Sequence, residues 1–164
     1  MSMNQDSNQF ITTVRQTEIK ISDISVFAKE TLSFLRDVKL KEVEGATTVA
    51  LSGNLGAGKT TFTKAFAQEI GITETITSPT FVIAKFYELK NKPWKKFIHI
   101  DAYRLESGDE LSKLGFDELF KDPENLIFIE WPENVKSILP EKLTTISFEV
   151  IDEETRKASV SLCA

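Results

Sequence analysis

Eight consecutive residues have the types and the spacing needed to surround a polyphosphate. Residues 53–60 read Gly-Asn-Leu-Gly-Ala-Gly-Lys-Thr, which matches the pattern G-x-x-x-x-G-K-[ST] at every fixed position. Glycines let the backbone approach a ligand closely, so successive backbone N–H groups can face an anion. We predict that this loop binds the phosphates of a nucleotide through Gly53, Asn54, Leu55, Gly56, Ala57, Gly58, Lys59, Thr60 and Thr61.

The end of the loop and its neighbours support this prediction. Lys59 would bring positive charge to the β- and γ-phosphates, and the Thr60 hydroxyl is placed to hold a magnesium ion. Residues 47–51 are β-branched and apolar, which predicts a buried strand, and residues 61–70 have apolar side chains at helical spacing before Gly71. A chance glycine-rich turn is the alternative, but a strand, a loop and a helix follow in the order that the motif requires.

Two acidic residues directly follow apolar strands. Glu130 comes after residues 126–129, and Asp101 comes after residues 97–100. Ligand-binding groups of open α/β sheets lie at the carboxyl ends of strands, so both carboxylates are predicted to lie beside the loop. We predict that Glu130 shares magnesium with Thr60, that Asp101 orients the attacking water or holds magnesium through a water, and that both act with Lys59 in catalysis. The alternatives are an exposed acid at a strand end for Glu130 and a turn-capping acid for Asp101.

Four other residues have patterns that leave two interpretations open. Thr80, in a Thr-Ser-Pro-Thr turn, is predicted to sense the γ-phosphate or magnesium, or else is an ordinary turn residue. Trp131 is predicted to lie near the nucleotide, or else to be a core or hinge residue. Arg104 would neutralise phosphate charge or pair with acids at positions 106, 109 and 110. His99, the only histidine, invites a catalytic role, but it alternates with two isoleucines, which favours a hydrogen-bonded, partly buried structural imidazole.

The base of the nucleotide is predicted to be adenine. Guanine-specific proteins of this kind usually have an [NT]-K-x-D motif that recognises the base. The nearest segment, residues 91–94, reads Asn-Lys-Pro-Trp and lacks the aspartate. We therefore expect ATP or ADP, together with Mg²⁺, as the cofactors.

Composition and charge exclude several classes of protein. Hydrophobic residues make up 41% and charged residues 27% of the 164 residues, as in a soluble single-domain protein. A net charge of −5 argues against direct, charge-driven binding of nucleic acid. The lone Cys163 excludes an internal disulfide, and no apolar run reaches membrane-spanning length. Residues 1–9 are polar and lack the apolar core of a signal peptide, so we expect a cytoplasmic location.

The periodicity of the sequence predicts one α/β domain at residues 17–164 behind a flexible tail at residues 1–16. Strands are predicted at residues 17–21, 47–51, 81–89, 96–102, 126–129, 144–150 and 157–162. Helices are predicted at residues 23–38 with Ser22 as N-cap, at 61–70, in two pieces within 104–120, and at 132–139. We expect a three-layer P-loop NTPase domain with a mixed, mainly parallel central sheet.

Four segments, in this order, resemble the TsaE family, also called the YjeE family. They are residues 52–62 (SGNLGAGKTTF), 77–81 (TSPTF), 99–105 (HIDAYRL) and 129–133 (IEWPE), and the resemblance covers residues 17–162. It implies a bacterial ATPase, slow when alone, that acts with the TsaD–TsaB complex in the threonylcarbamoyl modification of adenosine 37 in tRNAs reading codons that begin with A. TsaC would make the threonylcarbamoyl group and TsaD would transfer it, so contact with tRNA is expected to be indirect.

The motif match also assigns residues and shows departures. It implies that Asp101 is needed for activity and that Thr80 belongs to a switch-like segment. Asn54 stands where the family usually has Asp, and Ala102 stands where it usually has Leu.

Two other functions remain open. One is a small-molecule kinase, although the chain has only four arginines and an acidic stretch after Arg104 where a lid would need basic residues. The other is a nucleotide-dependent adaptor in which hydrolysis is not essential.

Overall fold

A single seven-stranded sheet organises the chain. The computed structural model describes residues 11–41, 44–91 and 93–163, so residues 1–10 of the predicted tail lie outside the described part. The strands are β1 (Ile11–Lys20), β2 (Thr47–Ser52), β3 (Ala84–Glu88), β4 (Lys96–Asp101), β5 (Asn125–Glu130), β6 (Leu143–Val150) and β7 (Thr155–Cys163). The helices are α1 (Ile24–Leu40), α2 (Lys59–Glu69), α3 (Gly108–Lys113) and α4 (Phe116–Lys121), with 3₁₀ helices at Ile21–Asp23 and Pro132–Ile138.

The centre of the sheet is parallel and its margins are antiparallel. The strand order is β1-β7-β6-β2-β5-β4-β3. Neighbours within β6-β2-β5-β4 run parallel, whereas β1 and β7, β7 and β6, and β4 and β3 are antiparallel pairs. This confirms the predicted mixed sheet with a mainly parallel centre. Since β2, β5 and β4 are parallel, their carboxyl ends meet at one edge.

Helices cover both faces of the sheet, as the three-layer prediction requires. Alternate residues of a strand point to opposite faces, so Phe97 and Phe128 pack in the core formed with α1 and α2. Ile98 and Ile127 belong to a second core formed with α3, α4 and the 3₁₀ helix Pro132–Ile138. The central strands are buried on both faces, which explains their continuous apolar sequences.

Several predicted boundaries differ from those of the structure, most of them by one or two residues, and the first strand differs most. The first strand begins at Ile11, not at residue 17, and residues 11–16 pair with β7 rather than belonging to a tail. Residues 11–16, which read ITTVRQ, have no regular apolar alternation, so the sequence gives no sign of their pairing with the backbone of β7. Ser22 is not an N-cap, because a 3₁₀ turn precedes α1 and Asp23 occupies the cap position.

The strand predicted at residues 81–89 begins only at Ala84. A tight turn precedes it: the Ala84 N–H donates to the carbonyl of Val82 at 2.8 Å, and Ile83 has a φ of 67°. Positive φ is rare for a β-branched residue. The turn therefore ends β3 at Ala84, although the Asp101 N–H still donates to the carbonyl of Ile83 at 2.8 Å.

In the part of the chain that the structure describes, no helix is long and apolar enough to cross a membrane.

The aromatic core beneath the central strands makes the first testable prediction. Phe128 is fully buried, and its ring centroid lies 4.5 Å from that of Phe66, 5.1 Å from Phe97 and 6.0 Å from Phe62. Phe128→Ala should lower the free energy of unfolding, measured in urea, by about 3–5 kcal/mol, because it removes a large side chain and leaves a cavity.

Phe86→Ala is the matched control for this substitution. Phe86 lies on the edge strand β3 and is 54% exposed. Its replacement should cost about 1 kcal/mol or less. Equal losses in the two variants would contradict the assignment of Phe128 to the core.

Candidate functional site

The loop at residues 53–60 connects β2 to α2, as predicted. Gly58 is the N-cap of α2 and has a φ of 109°, and Gly53 has a φ of 144°. A Cβ atom on Gly53 would lie 2.6 Å from the carbonyl oxygen of Phe148 on β6. A side chain at residue 53 would therefore meet the neighbouring strand, which explains a glycine at this position.

Lys59 is buried at the first residue of α2. Its side chain is 5% exposed, and its ammonium donates to the carbonyl oxygens of Gly53 and, at 3.2 Å, Asn54. The ammonium also lies 4.1 Å from the centroid of the Trp131 ring, a cation–π distance.

Burial makes this ammonium hard to keep charged. It lowers the pKa of Lys59 below its ordinary value of 10.5, although the negative charges of Glu130, Glu133 and Asp101 partly oppose the shift. The positive charge at the base of the loop is therefore poorly solvated and has carbonyl dipoles and an aromatic face as its contacts. An anionic ligand would improve its environment.

The two predicted carboxylates lie side by side at the carboxyl edge of the sheet. Asp101 of β4 is in register with Glu130 of β5, and Glu130 is in register with Leu51 of β2. Both side chains are buried, at 5% and 3% exposure. Glu130 is therefore not an exposed acid at a strand end.

Glu130 contacts the end of the loop. The Thr60 hydroxyl donates to Glu130 at 3.0 Å from Oε1 and 3.3 Å from Oε2. In the described residues, no group of three or more His, Cys, Asp or Glu side chains is placed to hold a metal ion. Thr60 and Glu130 together offer one hydroxyl and one carboxylate, which are oxygen ligands of the kind that Mg²⁺ takes alongside phosphates and water.

Asp101 is tied to the turn that contains Thr80. The Thr80 hydroxyl donates to Asp101 Oδ2 at 2.6 Å, and the Ser78 hydroxyl donates to the same oxygen at 3.3 Å. The backbone N–H of Tyr103 donates to Oδ1 at 2.9 Å, so the alternative prediction that Asp101 caps the following turn is also right. The sequence did not single out Ser78 or Tyr103 as site residues, although both lie inside two of the four motif segments.

A cavity of about 300 Å³ joins these elements. Ten residues that the sequence predicts for the site line this cavity: Leu55, Gly56, Gly58, Lys59, Thr60, Thr61, Thr80, Asp101, Glu130 and Trp131. Ser78 and Tyr103 also line it. Gly53, Asn54 and Ala57 do not line it and instead shape the loop behind it. Trp131 has a φ of 58°, and its ring centroid lies 5.1 Å from that of Tyr103.

Two residues have contacts that the sequence did not predict. The guanidinium of Arg104 lies 4.5 Å from the centroid of the Phe81 ring, and the four ion pairs of the described residues do not include Arg104. The predicted pairing with acids at positions 106, 109 and 110 is therefore wrong. His99 is fully buried rather than partly buried, and its Nε2 lies 2.9 Å from Glu130 Oε1. Neither contact is visible in the sequence, because each depends on which strands and turns are neighbours.

A glycine-rich loop between a central parallel strand and a helix, with carboxylates at the tips of the next two strands of the sheet, β5 and β4, is the arrangement of α/β proteins with a P-loop-type fold. Within this class, residues 24–158 match the family model described as "Threonylcarbamoyl adenosine biosynthesis protein TsaE". The chain belongs to the TsaE family, and the resemblance carried by the four motif segments is confirmed.

Relatives and a solved structure agree with this assignment. The chain is 40% identical over 113 residues to the tRNA threonylcarbamoyladenosine biosynthesis protein TsaE of Rickettsia felis, covering 68% of this chain and 63% of the relative. It is 39% identical over 109 residues to the protein of that name from Bacillus subtilis, covering 66% of this chain and 65% of the relative. The matches thus span less than two thirds of the length of these two relatives. The crystal structure of Bacillus subtilis YdiB superimposes with a TM-score of 0.68 at 28% identity, over 93% of this chain and 89% of that one.

The contact between the loop and β6 makes the second prediction. Gly53→Ala should lower the free energy of unfolding more than Gly56→Ala, because both positions have positive φ but only the first would bring a Cβ atom against backbone. Gly56, with a φ of 80°, has nothing within 4 Å of an added Cβ, so its substitution should cost about 1–2 kcal/mol. Gly53→Ala should cost at least about 1 kcal/mol more in urea unfolding. Equal costs would show that the loop does not press against Phe148.

Proposed function

We propose that the chain binds ATP with Mg²⁺ in this cavity and hydrolyses it to ADP and phosphate, as a component of tRNA threonylcarbamoyladenosine biosynthesis. The observation that carries the proposal is the convergence of a buried lysine, a hydroxyl–carboxylate pair and a second carboxylate on one cavity. Their types match what phosphoryl transfer from a nucleotide needs: a phosphate-binding group, metal ligands and a group that orients the nucleophile. Family membership and the names of the relatives support the biological role.

Phosphate binding is assigned to Lys59 and to the loop backbone. α2 begins at Lys59, so its unpaired N–H groups and the positive end of its dipole face the cavity. The Lys59 ammonium would exchange the carbonyls of Gly53 and Asn54 for phosphate oxygens. The exchange replaces neutral acceptors by charged ones and relieves the cost of burying the ammonium.

Thr60 and Glu130 would hold the magnesium ion. When bound, the ion would neutralise phosphate charge as it develops during transfer. Glu130 is fixed at the tip of β5 and Thr60 on the first turn of α2, so the two ligands come from two different regular elements. The Thr60 hydroxyl and the Glu130 carboxylate are hydrogen-bonded to each other, so both oxygens are close enough to bind one ion.

Asp101 would orient the attacking water, and Thr80 would report on the γ-phosphate. Thr80 and Ser78 occupy the Oδ2 atom of Asp101, which keeps this oxygen from accepting a water proton. A γ-phosphate or metal that draws the Thr80 hydroxyl away would remove the shorter of these two hydrogen bonds and open one acceptor position on Oδ2. Sensing and activation would then be a single exchange of hydrogen bonds.

We propose the TsaD–TsaB complex as the partner of the chain. TsaC would act in the same pathway by making the threonylcarbamoyl group, and contact with tRNA would be indirect. Among the residues that the structure describes, no arginine lines the cavity: Arg104 lies on Phe81, and Arg156 donates to the Ala57 carbonyl at 3.0 Å. Proteins of this class often take such an arginine from a partner. Leu55 and Phe81, both close to the site, are 79% and 84% exposed, which suits a protein contact beside the nucleotide.

Asp101→Asn separates binding from catalysis. The amide keeps the shape of the carboxylate but is a much weaker proton acceptor, so ATP hydrolysis in the presence of TsaD and TsaB should fall by about 100-fold or more. ATP affinity, measured by calorimetry, should stay within about threefold, since Asp101 makes no contact with the loop in the described contacts.

Asp37→Asn, an exposed acid on α1, is the charge-matched control and should leave both quantities unchanged. Full hydrolysis by Asp101→Asn would remove the role assigned to this carboxylate. Phosphoryl transfer to a metabolite in place of water would favour the small-molecule kinase.

Reconstitution of the tRNA modification tests the biological role. With TsaC and its substrates, TsaD, TsaB, ATP and tRNA, omission of this chain should prevent repeated cycles of modification, whereas its addition should restore them. Chain carrying Asp101→Asn should fail to restore them. If that variant restored full turnover while binding ATP, the chain would act as an adaptor without essential catalysis. If wild-type chain had no effect, the proposed role would be lost.

A further inference from the structure

We infer that His99 is a positioning residue that fixes the Glu130 carboxylate for the magnesium ion. The inference rests on the proposed function, because it concerns the metal-binding half of the same site. It assigns work to a side chain whose place in the sequence predicted a structural imidazole.

The sheet places His99 directly behind the two carboxylates. Alternation along β4 puts His99 on the same face as Asp101, and alternation along β5 puts Glu130 on that face beside Phe128. His99 is in register with Phe128, one strand away, so its ring can reach along the neighbouring strand to Glu130. The resulting distance from Nε2 to Oε1 is 2.9 Å, and both side chains are almost completely buried.

Two side chains in the described residues contact the Glu130 carboxylate, and they differ in kind. Thr60 lies on α2, at the end of the loop, and is itself a proposed metal ligand. His99 lies within β4, fully buried between strands. His99 is therefore the contact that holds Glu130 in place relative to the sheet whether or not a ligand engages Thr60.

The second ring nitrogen of His99 indicates why a histidine stands at this position. Nδ1 of His99 is buried and has no hydrogen-bond partner among the described residues. A carboxylate can only accept, so Nε2 carries the N–H that faces Glu130, and Nδ1 is left without a partner. A leucine between Ile98 and Ile100 would fill the space without an unpaired polar atom, so packing does not explain the histidine. The contact from Nε2 to Glu130 does.

Side chains that hydrogen-bond a metal ligand orient it and raise metal affinity, and their loss typically costs about 10–100-fold. The test measures the affinity for ADP twice for each protein, in excess Mg²⁺ and in EDTA. The ratio of the two affinities is the magnesium gain of that protein. His99→Leu should reduce this gain by about 10–100-fold and leave the affinity in EDTA within about threefold of wild type. A purely structural role would lower both affinities together or change only thermal stability.

A matched pair of amides keeps the test decisive even where His99→Leu folds poorly. The amide nitrogen of His99→Gln can replace Nε2 and should retain most of the magnesium gain. The nitrogen of His99→Asn replaces Nδ1, falls short of Glu130, and should lose the gain as His99→Leu does. Equal gains in the Gln and Asn variants would overturn the inference.

A double-mutant cycle tests whether His99 acts through Glu130. In the Glu130→Gln background, adding His99→Leu should cause no further loss of the magnesium gain, since both changes break the same unit. A further loss equal to that of the single variant would overturn the inference. Wild-type chain without any magnesium gain would refute the proposed function, and the inference with it. A normal gain in wild type and in His99→Leu alike would refute the inference alone.

Discussion

The register of three parallel strands is the constraint on which the site depends. Leu51, Glu130 and Asp101 occupy neighbouring positions at the carboxyl ends of β2, β5 and β4. A slip of one residue in any pairing would turn a carboxylate from the α2 face to the opposite core. The continuous apolar strands that lock the register are therefore as necessary to the site as the loop itself.

The site also explains why a strongly apolar core surrounds it. Lys59, His99, Asp101 and Glu130 are buried ionisable side chains, and burying such groups seldom stabilises a fold because desolvation offsets their mutual attraction. The lowered pKa of Lys59 is a direct sign of this cost. Beneath these groups, the rings of Phe62, Phe66, Phe97 and Phe128 form a connected cluster with centroid distances of 4.5–6.2 Å. We interpret this aromatic layer as the rigid and stabilising base that tolerates a polar site above it.

Local patterns predicted the features that local chemistry decides. The loop at residues 53–60 has dihedral needs that only glycine meets easily, and the apolar runs before Asp101 and Glu130 have few other structural interpretations. Long-range contacts were not predictable in this way. The contact of His99 with Glu130 and that of Arg104 with Phe81 depend on strand order and turn geometry. β1 was mostly missed because an edge strand of polar residues gains its stability from its partner rather than from its own sequence pattern.

Asn54 shows how a departure in sequence can leave the site's geometry intact. In the described contacts it acts through its backbone carbonyl, which accepts from the Ala57 N–H at 3.0 Å and from Lys59 at 3.2 Å. Its side chain is exposed, makes no hydrogen bond among the described residues, and does not line the cavity. An aspartate in this position would form the same loop and add one negative charge to its outer surface. The difference between Asp and Asn therefore changes the charge of the outer surface of the loop, beside the exposed Leu55. It does not change the hydrogen bond that Lys59 donates to the backbone carbonyl of residue 54.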